Sequence, residues 1–275
     1  MAAWAGDDKQ FIDANKDTPK HLVTIGNNGV CGYRPGLSGS KINVNAEPYG
    51  WKAINVTVTG EMWALTGDET NNVRYNPTVS DPDAWAEVPG TLRQIAVSSC
   101  GMHVYGVKSD GTSTYRPGFC DGDPSTWEAV EGPEFEYICC SAGGKHVWGM
   151  TKSGTNEING MLLSNLKYKP GKDGEWVDCE ANLKQVSISA DGNHVYALNS
   201  AGVMIYRPGF GDGSPEGWVE ACPGGERFNC VAVSFDGEHV YGSSSAANKA
   251  IWYRNGQEGA FVCKKKFGTS WVHTA

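Results

Sequence analysis

Two columns of polar side chains recur down this 275-residue chain, and both are of types that do chemistry. Five of the six histidines, His21, His103, His146, His194 and His239, each open a short apolar run such as His103-Val104-Tyr105-Gly106-Val107. The second column pairs a tyrosine with a cation: Tyr33-Arg34, Tyr115-Arg116, Tyr168-Lys169, Tyr206-Arg207 and Tyr253-Arg254, the first four followed by Pro-Gly. Imidazoles in register suggest metal ligands or groups titrating near neutrality. An aromatic face beside a guanidinium suits a sugar, the ring stacking on the apolar face of a pyranose and the fork donating to hydroxyls or an acidic group.

The elements that carry these columns follow from their spacing. Taken at the histidine, with Glu61 standing in for it in the second unit, the copies recur every 40 to 48 residues. Periods of that length, with short strands in each unit, mark a propeller-type array. In the third unit Trp85-Ala86-Glu87-Val88 ends at Pro89-Gly90, and Gln94 to Ser99 makes a second strand of small residues. His103 to Val107 makes a third, Ser109-Asp110-Gly111 a tight hairpin, and Thr112 to Arg116 a fourth before Pro117-Gly118 breaks the ladder. Four antiparallel strands in about forty residues is one blade. The expectation is therefore an all-β, six-bladed β-propeller of four-stranded antiparallel blades, forming a single domain over residues 1–275. A tryptophan recurs near the head of each unit, at Trp4, Trp51, Trp85, Trp127, Trp176 and Trp218. Trp271 is a seventh, in a spare C-terminal strand placed to close the ring onto the N-terminal unit and so remove two sheet edges.

This frame weighs the columns. Equivalent positions of adjacent blades lie too far apart for one zinc, whose ligands sit within about 2.1 Å, so each histidine is expected to make one repeated structural hydrogen bond. Neighbouring residues of a strand face opposite ways, so tyrosine is expected in the packing between blades and the cation on the surface. The cation then either contacts ligand or pairs with the next blade. The candidate sugar-contact set is Arg34, Arg116, Lys169, Arg207 and Arg254, with Tyr115, Tyr206, Trp127 and Trp218. The acidic stretches Asp81-Pro82-Asp83, Asp121-Gly122-Asp123 and Asp212-Gly213 lack the bidentate glutamate of a calcium loop and read as solvated loops, so no metal site is assigned. There is no Gly-x-Ser-x-Gly elbow, His-Glu-x-x-His or phosphate loop, and no cofactor or catalytic residue is expected.

Composition narrows the class. Twenty-three basic against thirty-one acidic residues give a net charge of −8, and the only dense basic run is Lys264-Lys265-Lys266. A nucleic-acid partner is not expected from such a surface. No run reaches the ~18 apolar residues of a membrane helix, so membrane insertion is not expected either. The segment Met1 to Asp8 has no signal-peptide pattern, which points to a cytoplasmic chain or leaderless secretion, with extracellular placement if the chain is a processed form. The nine cysteines are odd in number and scattered over different repeat columns, which favours free thiols over a disulfide framework. The sequon Asn55-Val56-Thr57 falls in an inner strand, a poor place for glycosylation.

The pattern Trp-x-x-Val, Gln-Val-Ser-Val, His-Val-Tyr-Gly-Val-x-Ser-x-Gly and Tyr-Arg-Pro-Gly, clearest from Trp176 to Gly209 and Trp85 to Gly118, resembles the tectonin repeat. That family includes fungal and slime-mould tectonins, tachylectin-like lectins and fish-egg lectins. The resemblance spans nearly the whole chain and implies a multivalent lectin of innate defence. Its implied ligands are cell-surface polysaccharide, lipopolysaccharide, or methylated and N-acetylated sugars. The second unit departs from the pattern at Glu61 and Asn76 and by its short linker after Trp51, and the fourth by the insertion Thr155 to Asn165. Either departure is expected to alter that blade's site. A protein–protein scaffold is the alternative role.

Overall fold

The computed structural model describes residues 21–26, 30–35, 42–44, 50–81, 83–117, 127–151, 157–158, 161–162, 165–179, 181–208, 217–222, 224–245, 250–255, 261–266 and 269–274. The described strands begin with β1 (His21–Gly26), β2 (Cys31–Pro35) and β3 (Ile42–Val44), followed by β4 (Trp51–Val56), β5 (Met62–Thr66), β6 (Asn72–Asn76) and β7 (Ala86–Thr91). Next come β8 (Gln94–Val97), β9 (His103–Val107), β10 (Ser113–Pro117) and β11 (Glu128–Val130), then β12 (Phe135–Cys140) and β13 (His146–Thr151). The insertion carries β14 (Glu157–Ile158) and β15 (Met161–Leu162) before β16 (Leu166–Pro170) and β17 (Val177–Cys179). The series ends with β18 (Leu183–Ile188), β19 (His194–Asn199), β20 (Met204–Pro208), β21 (Val219–Glu220), β22 (Phe228–Val233), β23 (His239–Ser244), β24 (Ala250–Asn255), β25 (Val262–Lys266) and β26 (Thr269–Thr274).

These strands form antiparallel four-stranded sheets, the blades of a β-propeller. Five sheets are built in chain order, as β4-β5-β6-β7, β8-β9-β10-β11, β12-β13-β16-β17, β18-β19-β20-β21 and β22-β23-β24-β25. A further sheet, β26-β1-β2-β3, joins the two ends of the chain, with Ile25 opposite Trp271 and Val23 opposite His273. Among the described residues the insertion carries the small hairpin β14-β15. No helix among the described residues is long and apolar enough to cross a membrane.

The frame of the repeat needs one correction. The strand after Trp85 is β7, which pairs with β6 and not with β8, so each sequence unit opens with the outermost strand of the preceding blade. Sequence similarity shows that a strand recurs but not which neighbour it pairs with. The same shift removes Trp51 from the tryptophan column. Trp51 lies on the inner strand β4, just before a register shift, where the later blades have Phe135, Leu183 and Phe228. It is buried there and packs on Trp85 at 4.5 Å between ring centres. Trp271 likewise lies on an inner strand, and Trp4 falls outside the described residues.

The core sits in wedges between blades. Val88, Leu65 and Tyr75 of one blade meet Ile95, Val97 and Val104 of the next. Tyr105, Tyr115 and Val107 of that blade then meet Phe135, Ile138 and Val147 of its successor. Each wedge is anchored by an aromatic pair directly across the two middle strands. The pairs are Trp63–Tyr75, Tyr105–Tyr115, Trp148–Tyr168, Tyr196–Tyr206 and Tyr241–Tyr253, with ring centres 4.7 to 5.1 Å apart. Such a pair adds about 0.5–1.5 kcal/mol beyond its buried area.

Near the axis polar groups join the blades. Gln94 and Gln185 each use both ends of the amide, donating to the carbonyls of Ile138 and Val231 and accepting from the same residues' N–H groups at 2.9 to 3.2 Å. That explains the glutamine of the Gln-Val-Ser-Val motif. Backbone bonds between the hairpin turns, Val58 to Ser99, Ala142 to Ala190 and Ala190 to Phe235, run from blade to blade. The axis retains a cavity of about 50 Å³, lined by residues of five inner strands including Asn55, Cys139, Gln185 and Ser187. Asn55 of the sequon is buried and donates to the carbonyl of Ile95. Cys31, Cys100, Cys139, Cys140, Cys179, Cys222 and Cys230 are free thiols.

Candidate functional site

The histidine column has one structural task. His103, His146, His194 and His239 pair through Nδ1 with the hydroxyls of Tyr115, Tyr168, Tyr206 and Tyr253 at 2.9 to 3.3 Å. The backbone N–H of each donates to the serine at the head of its turn, Ser98, Ser141, Ser189 or Ser234. A glycine of the next blade then lies flat against the ring. A Cβ built on Gly144, Gly192 or Gly237 would come within 2.2 to 2.8 Å of His103, His146 or His194, and each of these glycines has a positive φ that favours glycine regardless. The glycine turn, Gly143-Gly144, Asp191-Gly192 or Asp236-Gly237, is thus the lid on the neighbouring blade's histidine.

Burial pushes the His103 imidazole below its ordinary range and His146 down to about 4, while Tyr115 is pushed up to about 12. Neutral imidazole therefore meets neutral phenol. In the second unit Glu61 fills the place: it is buried, bonds Thr57 and Thr59, interacts with Tyr75, and accepts the contact of the Gly101 turn. Burial raises its carboxyl above the usual range.

These shifts set opposite pH dependences. A histidine depressed on folding favours the unfolded chain once pH falls below about 6.5, so stability drops from there toward the folded value near 4 for His146. A carboxyl raised on folding stabilises below about 4.5, and that contribution is lost as pH rises through its folded value. Glu61→Gln should therefore raise the melting temperature by about 2–4 °C at pH 8 and leave it nearly unchanged at pH 4. A drop at pH 8 measured by calorimetry would show that the ionised carboxylate is wanted.

The cation column corrects the surface expectation. Arg116 is fully buried, and Lys169, Arg207 and Arg254 are at most 9% exposed. A middle strand of a blade is covered on both sides by neighbouring blades, so alternation along it exchanges one interior face for another. Arg116 lies opposite Val104 on the face that meets the preceding blade, with its guanidinium 5.9 Å from the centre of the Trp127 ring. Lys169 stands 5.7 Å from Trp176 and Arg254 5.6 Å from Phe261. Arg254 also donates to the carbonyl of Ala221 in the preceding blade at 2.6 Å. These are cation–π supports of the aromatic head of the same blade's outer strand. Tyr115 and Tyr206 are also buried, with their hydroxyls engaged by histidine, so neither offers a face to a ligand. The side chain of Arg34 lies outside the described residues.

What the column leaves at the surface is tryptophan. Trp127, Trp176 and Trp218 are half-buried at the heads of β11, β17 and β21. Trp127 donates its indole N–H to the carbonyl of Pro89 at 2.8 Å and Trp176 to that of Glu131 at 2.9 Å, both in the preceding blade. Gly90 and Gly132 make the seats, since a Cβ at either would meet the indole nitrogen at 3.2 or 2.5 Å. Val177 and Val219, next to Trp176 and Trp218, are 44% and 51% exposed. Trp176 and the two valines were not in the set drawn from sequence. The constant Trp spacing marked Trp176, but nothing in composition marks an exposed valine on an edge strand.

The one triad of potential metal ligands among the described residues is Asp236, Glu238 and His239. Its members already serve the turn: Asp236 accepts from Ser234 and from the Glu238 N–H, and His239 is held by Tyr253. Asp81 and Asp83 are exposed loop residues, while the other two acidic loops lie outside the described residues.

No family model and no curated protein matches the chain. Solved structures do. TolB from Acinetobacter baumannii matches with a TM-score of 0.66 and 8% identity over 98% of this chain and 70% of its own. The β-propeller domain of Cps50 (Swd1) from Myceliophteria thermophila matches with a TM-score of 0.56 and 10% identity over 89% and 84%. At such identities the likeness is one of fold, and it agrees with the strand pairing in making this chain a β-propeller.

Proposed function

We propose that this chain is a non-enzymatic, six-bladed propeller of tectonin type that binds cell-surface glycans through several shallow sites at its tryptophan heads. The carrying observation is repetition: a buried cation beneath a half-exposed indole occurs in successive blades, as Arg116 under Trp127 and Lys169 under Trp176. An indole held from behind offers its free area to a pyranose at little entropic cost. Several weak sites on one rigid ring then gain avidity on a dense glycan surface.

A glycan array that includes lipopolysaccharides and methylated sugars tests this. The triple variant Trp127→Ala, Trp176→Ala, Trp218→Ala should lose binding to immobilised glycan at least about tenfold while a chelator changes nothing. A parent protein that binds no glycan overturns the proposal. Val177 and Val219, exposed on edge strands of adjacent blades, favour protein contact as the second reading, and Val177→Ser with Val219→Ser would weaken that contact alone.

A further inference from the structure

We infer that the propeller carries a second binding site, separate from the tryptophan heads, for a small multiply charged oxyanion at the axial mouth opposite the histidine turns. The inner strands begin at this mouth, and a cavity of about 420 Å³ opens there, within the usual range for small-molecule pockets. Lys52, Arg93 and Lys184, from three different blades, line it against one carboxylate, Glu136. Among the described residues none of the three cations makes a salt bridge. A local excess of positive charge in a chain of net charge −8 is not a general property of its surface.

The walls are fixed by bonds between blades. Arg93 donates through Nη2 to the carbonyl of Phe135 in the next blade, and its buried Nε has no hydrogen-bond partner. Gln94 is clamped to Ile138, and Asn165 bonds both the carbonyl and the N–H of Leu183 across the next blade boundary. Lys52, bonded to Asn71, and Lys184 lie at the exposed rim. Burial, and after it the nearby charge of Arg93, hold the Lys52 ammonium below its ordinary range, as expected where cations outnumber carboxylates. An anion relieves that repulsion and accepts charge-assisted hydrogen bonds.

The site also lies where the repeat is broken. Thr151 and Asn165, both lining the cavity, flank the segment that carries the β14-β15 hairpin. In the other four blades built in chain order, four or five residues separate the corresponding strands. A feature present once, beside this pocket, suits one ligand per ring, whereas the tryptophan heads recur.

Pyrophosphate and citrate serve as probes, with N-acetylglucosamine as the neutral control. Either anion at millimolar concentration should raise the melting temperature of the full chain more than sodium chloride of equal ionic strength, and the neutral sugar should not compete. Lys52→Gln with Lys184→Gln changes rim side chains only and should weaken the anion's Kd about tenfold or more, since it removes two charge-assisted hydrogen-bond donors. Lys108→Gln with Lys172→Gln, exposed elsewhere, should leave it unchanged. No stabilisation beyond salt, or equal stabilisation of both double variants, overturns the inference. Glycan-array binding that persists in the Lys52/Lys184 variant keeps the two sites distinct, whichever of them survives its own test.

Discussion

Removal of residues 269–275 should cost the protein its cooperative melt, or lower the melting temperature by about 10 °C or more. β26 supplies the inner strand of the sheet that joins the chain ends, pairing with Leu22 through Gly26 of β1, and it also packs against β4, β22 and β23. Without it, β1 presents an unpaired edge at the axis and the neighbouring blades lose an apolar wall. A loss of about 3–5 kcal/mol at about 2–4 °C per kcal/mol for a chain of this size gives the stated shift, and the exposed edge invites aggregation. A peptide of residues 269–275 added in trans should restore part of the melt, because the missing piece is a strand and not a folding signal. A truncated chain that melts like the parent would mean that the ring does not depend on this closure.

The closure was legible in the sequence because a spare Trp271 strand follows the last unit and a ring places it beside the first. The structural role of the histidine column was legible for a similar reason: a column repeated five times leaves little freedom in what each copy does. The fate of Arg116 was not. Alternation along Ser113–Pro117 correctly separates Tyr115 from Arg116, but reading one face as solvent assumes a sheet covered on a single side. In a propeller both faces of the middle strands meet a neighbour, and a charged residue there is buried against aromatic rings. Trp51 misled through identity of type. It shares its residue with the tryptophan column and its place with Phe135 and Leu183, and only the register shift after it reveals which matters. The axial mouth was invisible because Lys52, Arg93 and Lys184 are scattered over more than a hundred residues and meet only when the inner strands converge.

Arg116→Ala and Arg207→Ala should each act on stability before they act on binding. Both side chains are interior, at 0% and 4% exposure. Truncation leaves a cavity between blades and, for Arg116, removes the support under Trp127. Large-to-small changes at such positions cost about 2–5 kcal/mol, which lowers the melting temperature by about 5–15 °C. Arg116→Met fills most of the same volume without a charge to desolvate. It should recover much of the loss, as apolar replacements of buried ions often do. Measured well below their melting temperatures, the alanine variants should keep contact with immobilised glycan to within about threefold, whereas the tryptophan triple variant loses it. Alanine variants that melt with the parent but fail to bind would return the cations to the surface and to the ligand. A fall in melting temperature with binding retained makes the cation column the frame on which the tryptophan heads are mounted.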